Sequence, residues 1–378
     1  MLVSISCLFF FVIFSKINKE FKDLKKIILF IIIFWLLFIT NSLLNENILT
    51  SLKSSFFSIR FLIFSLIVFY FFSKNDLHVL KFNKVLRYVI IFLCVDALFQ
   101  YLVGFNFLGF EKQNRLSGIF GDEWVLGSFL SKAFALSTTL SFYKKDEENT
   151  KSNLFINIFL LIIVYTTVVL TFERAAFIFL NLYILSIFIF IKSYRKYIIL
   201  LLGFILLLNF LFLSNLNYYK DRFVKNFLLD KDIKKTNYFL LKDYSDMFLT
   251  SYEIFKNNKV TGVGNKNFIN ECKKYLDKYP KGCSNHPHNY YAQMMSENGI
   301  SGLTFISLAF LYYFFLLIKI LTLNEFGYKS FFISSCITLI LILQPLTTTG
   351  NFFNNWNMTI ISLIFGFSLL KKKIESNM

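Results

Sequence analysis

The sequence predicts an all-α polytopic membrane protein, and three observations carry that prediction. Apolar residues make up 56% of the chain and the mean hydropathy is +0.58. Among 378 residues there are 52 phenylalanines and only 3 prolines. The apolar residues also stand in unbroken runs of about 15–20, the length that crosses a hydrocarbon core, and not in the stripes of a soluble helix. These runs place eleven spans near 2–15, 26–45, 56–73, 87–105, 123–142, 153–172, 174–191, 197–215, 301–320, 329–347 and 355–370.

The connections between the spans set their orientation. Lys16, Lys19, Lys22, Lys25 and Lys26 follow the first run, and Lys53 stands alone after the second. Lys74, Lys81, Lys84 and Arg87 follow the third, Lys144, Lys145 and Lys151 the fifth, and Lys192, Arg195 and Lys196 the seventh. Lys371, Lys372 and Lys373 close the chain. Short basic loops mark the cytoplasmic side. The loops near 46–55, 106–122 and 348–354, and the long polar segment 217–300, then face outward. The pattern of that segment is helical in places: "DYSDMFLTSYEIFKNN" carries apolar residues at Met247, Phe248, Tyr252 and Phe255. The organisation that follows is an N-terminal transmembrane bundle over 1–216, an outer helical loop over 217–300, and C-terminal spans over 301–378.

This orientation puts the N-terminus outside and the C-terminus inside. The first run is short and has no basic leader, yet no small-residue cleavage site follows, so it reads as a span and not as a secretion signal. A helix preceding residue 1 would restore the usual parity. The net charge of +17 suits basic loops on one membrane face. No basic stripe lies on a soluble nucleic-acid-binding pattern, so nucleic acid is excluded as a partner.

The scarce chemistry is concentrated. Two of the three histidines, His286 and His288, stand in "SNHPHNYYAQMMSENGISGL". Pro287 suits a first helical turn, with Asn285 or His286 as its cap, and Gly299 is a natural stop. Asn289, Gln293 and Glu297 then share one face at i, i+4, i+8. An imidazole here changes charge near neutral pH, although a capping or hydrogen-bonding histidine is the structural alternative. "VVLTFERAAFIFL" sets Glu173 and Arg174 between two spans. Arg174 either snorkels and pairs with Glu173 or grips a phosphate with its planar fork of donors. Arg115 and Lys112 lie on an outer loop, either solvated or in contact with glycan or phosphate; His78 falls on the cytoplasmic side.

Cys7, Cys94 and Cys336 lie inside spans as small apolar side chains. Cys272 and Cys283 share the outer loop, where an oxidising compartment permits a disulfide. Two free thiols, or a zinc site with the histidines, are the alternatives. We expect the bridge, and no metal.

"ERAAF", "EIFKNNKVTGVGNKNF" and "HPHNYYAQMMSENGISGL", in that order and spacing, resemble the O-antigen ligase and O-antigen polymerase superfamily. "NRLSGIFGDEWVLGSFL" resembles the outer loop of polymerase-like members. The likeness covers roughly residues 85–370. It implies a GT-C-like bundle of about twelve helices in the bacterial inner membrane, with the active site on the periplasmic face and no cofactor. It implies a glycan moved from undecaprenyl diphosphate to lipid A–core or to another lipid-linked repeat unit. His288 would be the general base and Arg174 the diphosphate clamp. Asn289, Gln293, Glu297, His286 and Arg115 would bind substrate or orient the histidine. Many members carry a second arginine near the position of Tyr244, where this chain has none. Lys242 and Arg222 are the substitutes at hand. A transporter or flippase of lipid-linked sugars is the rival class, which would line a central path with charge. Apart from Arg60, Asp96 and Lys132, the charges stand at span ends.

Overall fold

The computed structural model describes residues 24–45, 47–143, 147–196, 198–199, 203, 210, 242–323 and 328–370. The predicted span at 2–15, nearly all of 197–215, Arg222, Cys7 and Lys371–Lys373 lie outside them. Among the described residues the chain is helical. The helices are α1 (Lys25–Leu43), α2 (Ile48–Phe57), α3 (Ile59–Lys74), α4 (Asp76–Val103), α5 (Leu126–Ser141), α6 (Glu147–Leu170), α7 (Arg174–Phe190), α8 (Lys242–Asn257), α9 (Phe268–Glu271), α10 (Tyr290–Thr322), α11 (Lys329–Leu343) and α12 (Asn355–Ser368).

The remaining nine predicted runs each fall on helix. The stretches Lys25–Leu43, Ile48–Lys74, Asp76–Val103 and Tyr290–Thr322 are long and apolar enough to cross a membrane, and Phe155–Leu170, α7 and α11 are shorter apolar helices. Large apolar side chains such as Leu49 (83%) and Phe155 (74%) stand exposed on them. Such surface is costly in water and costs nothing against lipid. The protein is therefore a helical membrane protein.

The described residues form two compact units. One comprises 24–74, 242–315 and 343–370, the other 75–210 and 316–342. In the first, Phe34 and Phe38 of α1 pack on Phe305 of α10 with ring centroids 5.3 and 5.6 Å apart. Phe72 of α3 meets Phe367 of α12 at 4.7 Å. Small polar residues join these helices where apolar tails cannot discriminate between partners. Ser42 of α1 bonds Ser55 (2.6 Å) and Ser51 (2.8 Å) of α2.

In the second unit α5 is the centre. Thr139 of α5 bonds Ser334 of α11 at 2.7 Å, and the Tyr183 hydroxyl of α7 reaches the same serine at 2.9 Å. Asp96 and Gln100 of α4, both buried, organise the loop beyond that helix. The Asp96 carboxylate accepts from the backbone N–H of Phe107 at 3.0 Å and from the Asn106 amide at 3.4 Å. The Gln100 carbonyl accepts from the N–H groups of Ser117 (3.2 Å) and Gly118 (2.9 Å). An acidic residue inside a predicted span thus serves to satisfy the backbone of the loop that follows it.

This assigns a cost to Asp96. In Asp96→Ala the part-buried Phe107 N–H loses its acceptor, worth about 1 kcal/mol. We expect a lower Tm in detergent and faster tryptic cleavage at Lys112 and Arg115, read by mass spectrometry of the fragments.

Candidate active site

The histidine motif is built on α8. Ile254, Val263, Phe268 and Cys272 form a small core beneath it, with Tyr275 and Cys283 packed against it. Cys272 and Cys283 are joined by a disulfide with Cα atoms 5.1 Å apart. Lys278 pairs with Glu253 of α8 at 2.6 Å, and the Lys281 N–H donates to Asp246 of α8 at 3.1 Å. The segment entering the motif is thus held at three points before it reaches His286.

The helix then starts later than the sequence suggested. Asn289, and not Asn285 or His286, caps α10: its side-chain oxygen accepts from the N–H groups of Tyr291 (2.9 Å) and Ala292 (3.1 Å). The reason is His288, whose φ of 55° lies in the left-handed region and cannot continue a helix. For a non-glycine residue that conformation costs on the order of 1 kcal/mol or more and persists where the surroundings enforce it. Here the enforcement is visible. The Asn289 amide donates to the carbonyls of Pro345 (2.7 Å) and Thr347 (3.2 Å), and the Thr349 N–H donates to the His288 carbonyl (2.7 Å).

Gln293 completes the clasp. Its amide donates to Glu297 (2.9 Å) and Asn351 (3.1 Å), and its carbonyl accepts from the Phe352 N–H (2.8 Å). Gln293 and Glu297 are both buried. Their face of α10, read from the sequence as binding substrate or orienting the histidine, is engaged in the framework that holds the histidines.

The two imidazoles lie with ring centroids 4.1 Å apart, and the Tyr244 ring stands edge-on to His288 at 5.6 Å. Tyr244 is near the position where the family pattern carries an arginine, so an aromatic wall stands there. Ser284 Oγ lies 3.3 Å from His288 Nε2. Burial lowers the His288 pKa below its ordinary 6.5. Burial, then the neighbouring His288, lowers His286 to about 4, against the Thr349 backbone that favours the charged ring. At neutral pH both rings are uncharged, and an uncharged imidazole can take up a proton.

The turn "GVGNKNF" wraps α10 just before its break at Gly299. The Val263 N–H bonds the Ser296 carbonyl at 3.0 Å, the Gly264 N–H the Glu297 carbonyl at 2.8 Å, and the Ile300 N–H the Lys259 carbonyl at 2.8 Å. The predicted stop at Gly299 is a break inside α10, with φ 63° and ψ −146°. A Cβ on Gly299 would lie 2.5 Å from the Val260 carbonyl oxygen, and one on Gly262 would lie 2.4 Å from the Glu297 backbone.

Arg174 and Glu173 belong to the second unit. The sequence offered Glu173 as the partner of Arg174, and the structure uses it otherwise. The buried Glu173 carboxylate accepts from the Gly127 N–H (2.7 Å), the Ser128 N–H (3.0 Å) and the Ser128 hydroxyl (2.7 Å). It caps the N-terminus of α5, where donors and helix dipole favour an anion. Burial raises its pKa, opposed by Ser128 and Gly127 and by the Arg115 charge. Arg174, the first residue of α7, is half-buried. Among the described residues it has no carboxylate within ion-pair distance. Arg115 lies 4.8 Å over the Trp124 ring.

The sequence reading set a loop near 348–354 on the outer face but did not join the 344–352 segment to the histidine motif, one side of which it closes. Its signal was present: the chain's three prolines are Pro280, Pro287 and Pro345, and all three fall in or against this site.

A helical membrane protein with a strained, uncharged histidine at a capped helix start is thereby defined. Residues 158–307 match the family model described as O-antigen ligase. That match bears out the resemblance to the O-antigen ligase superfamily read from the sequence motifs. No protein of curated function matches the chain. Among solved structures, it is similar to a chain from "Structural coordination of polymerization and crosslinking by a peptidoglycan synthase complex", with 12% identity over 92% of this chain and 96% of that one and a TM-score of 0.50. At that identity the likeness concerns the fold alone.

The backbone packing at Gly299 gives a direct expectation. Gly299→Ala carries both the positive-φ strain and the clash with Val260, about 1–3 kcal/mol from each source. Thermal unfolding of the purified protein should show a clearly lowered Tm.

Proposed function

We propose that this protein is a membrane glycosyltransferase that moves a glycan from undecaprenyl diphosphate to a hydroxyl of lipid A–core or of another lipid-linked repeat unit. In this reading the chain has eleven spans in the inner membrane of a bacterium, divided as 1–216, 217–300 and 301–378. The middle segment and the site face the periplasm. The observation that carries the reading is His288: uncharged, held in a left-handed backbone conformation, and set within an O-antigen ligase domain.

The chemistry asks little beyond positioning. The acceptor oxygen attacks the anomeric carbon, the bond to the diphosphate oxygen breaks, and undecaprenyl diphosphate leaves with the electron pair. The acceptor proton passes to His288. Arg174 holds the diphosphate as its charge grows, with a guanidinium that Glu173 does not occupy. Asn289, Gln293 and Glu297 orient the histidine, and His286 lies at its side. Arg115 is a glycan or phosphate contact from the "RLSGIF" loop. Neither metal nor cofactor is called for.

A transporter or flippase would keep its intramembrane charges free for cargo. Here Asp96 holds loop backbone, Arg60 bonds Asn355, and Lys132 lies in the field of Glu173. Each is engaged in structure, which supports the transferase.

Two expectations follow from these roles. With purified protein and undecaprenyl diphosphate-linked glycan, His288→Ala should lose transfer by a factor of about 10²–10⁴, the usual yield of a general base, while donor still binds. Arg174→Ala should weaken donor binding as well, and Arg174→Lys should rescue it poorly because a point charge lacks the two-pronged fork. Near-normal transfer by His288→Ala would rule the base out. The pH dependence has a definite sign. The base works unprotonated and its pKa lies below 6.5, so kcat/KM should hold through neutral pH and fall only as pH drops through that lowered value. A limb at or above 6.5 would contradict the burial of His288.

A further inference from the structure

We propose that Thr349, from the loop between α11 and α12, forms with His286 a subsite for a hydroxyl of the acceptor sugar beside His288. The inference rests on the transferase reading and adds the acceptor's place within the site.

Four observations support it. The Thr349 N–H is bonded to the His288 carbonyl at 2.7 Å, so this residue is fixed to the base by its own backbone. The Thr349 backbone also engages the His286 ring. The Thr349 hydroxyl and His286 Nε2 are both shielded from solvent, and neither has a hydrogen-bond partner among the described residues. Such atoms are the exception in native structures, and leaving one unpaired costs about 1–3 kcal/mol. Finally, the loop has no freedom to drift: Asn289 and Gln293 hold it at Pro345, Thr347, Asn351 and Phe352.

The chemistry of the two open atoms is complementary to a sugar. The His286 nitrogen that is not engaged by the Thr349 backbone is, in an uncharged ring, a bare acceptor that suits an O–H. The threonine hydroxyl can donate or accept. A hydroxyl held by this pair places the next hydroxyl of the same ring toward His288, whose ring centroid is 4.1 Å from that of His286. A diphosphate would find no cation among these groups, so the pair suits the neutral acceptor and not the charged end of the donor.

The test uses the full chain in detergent, with undecaprenyl diphosphate-linked glycan extracted from cells lacking this protein as saturating donor. Acceptor is titrated in two arms: lipid A–core in one, and in the other the lipid-linked glycan itself, there varied as donor and acceptor together instead of held saturating. Thr349→Val keeps the shape and backbone bond and removes the hydroxyl; Thr349→Ser keeps the hydroxyl. In the arm where the wild type works, Thr349→Val should raise the half-saturating acceptor concentration about tenfold, the size of one lost hydrogen bond. Thr349→Ser should stay within about threefold, and donor binding should be unchanged in both. Wild-type saturation by Thr349→Val overturns the subsite and leaves the transferase standing. A loss shared equally by Thr349→Ser, or accompanied by weaker donor binding, also overturns it by assigning the position to packing. A wild type inactive in both arms overturns the transferase reading, and the subsite falls with it.

Discussion

The burial of the Gln293 side chain is the constraint on which the histidine end of this protein depends. A primary amide placed out of water must have both its ends satisfied. Here its two donors go to Glu297 and Asn351, and its oxygen takes the Phe352 N–H. The result is that the start of α10 and the loop before α12 can exist only together. With the Asn289 and Thr349 bonds added, the backbone at His288 has no route back to an unstrained conformation. A histidine on a free loop would lose conformational freedom each time it met a partner. His288 is held in place by amides buried behind it.

The two units handle charge in opposite ways. Around the histidines there is little of it: Tyr244, Ser284, Thr349 and the two uncharged rings make a neutral polar surface backed by Gln293. Around Arg174 charge is kept and sorted. Glu173, next in sequence, is drawn to the N-terminus of α5 by three donors, and the guanidinium stays unneutralised by it. A cation at the head of its own helix is disfavoured by the helix dipole. An anion placed beside it would relieve that.

The helical class, the runs at 26–45 through 355–370 and the family likeness were legible in the residues, because apolar length and motif order are properties of the chain itself. The histidine motif was legible for the same reason. Its internal logic was not. Asn289, Gln293 and Glu297 appear in sequence as a polar face, and polarity alone does not say whether such a face meets solvent, substrate or another loop. The partners that decided it lie near residue 350, some 58 positions away for Gln293 and Asn351.

The sequence by itself determined that this chain lives in a membrane and where its rare titratable groups are concentrated. Burial length and composition act locally, so they can be read locally. Only the tertiary structure decided that Glu173 caps α5, that Asp96 and Gln100 hold a loop, and that the 344–352 segment belongs to the histidine site. Each of these is a long-range hydrogen bond between groups that must be satisfied away from water. Which donor meets which acceptor depends on the packing of helices distant in sequence, and no local pattern records it.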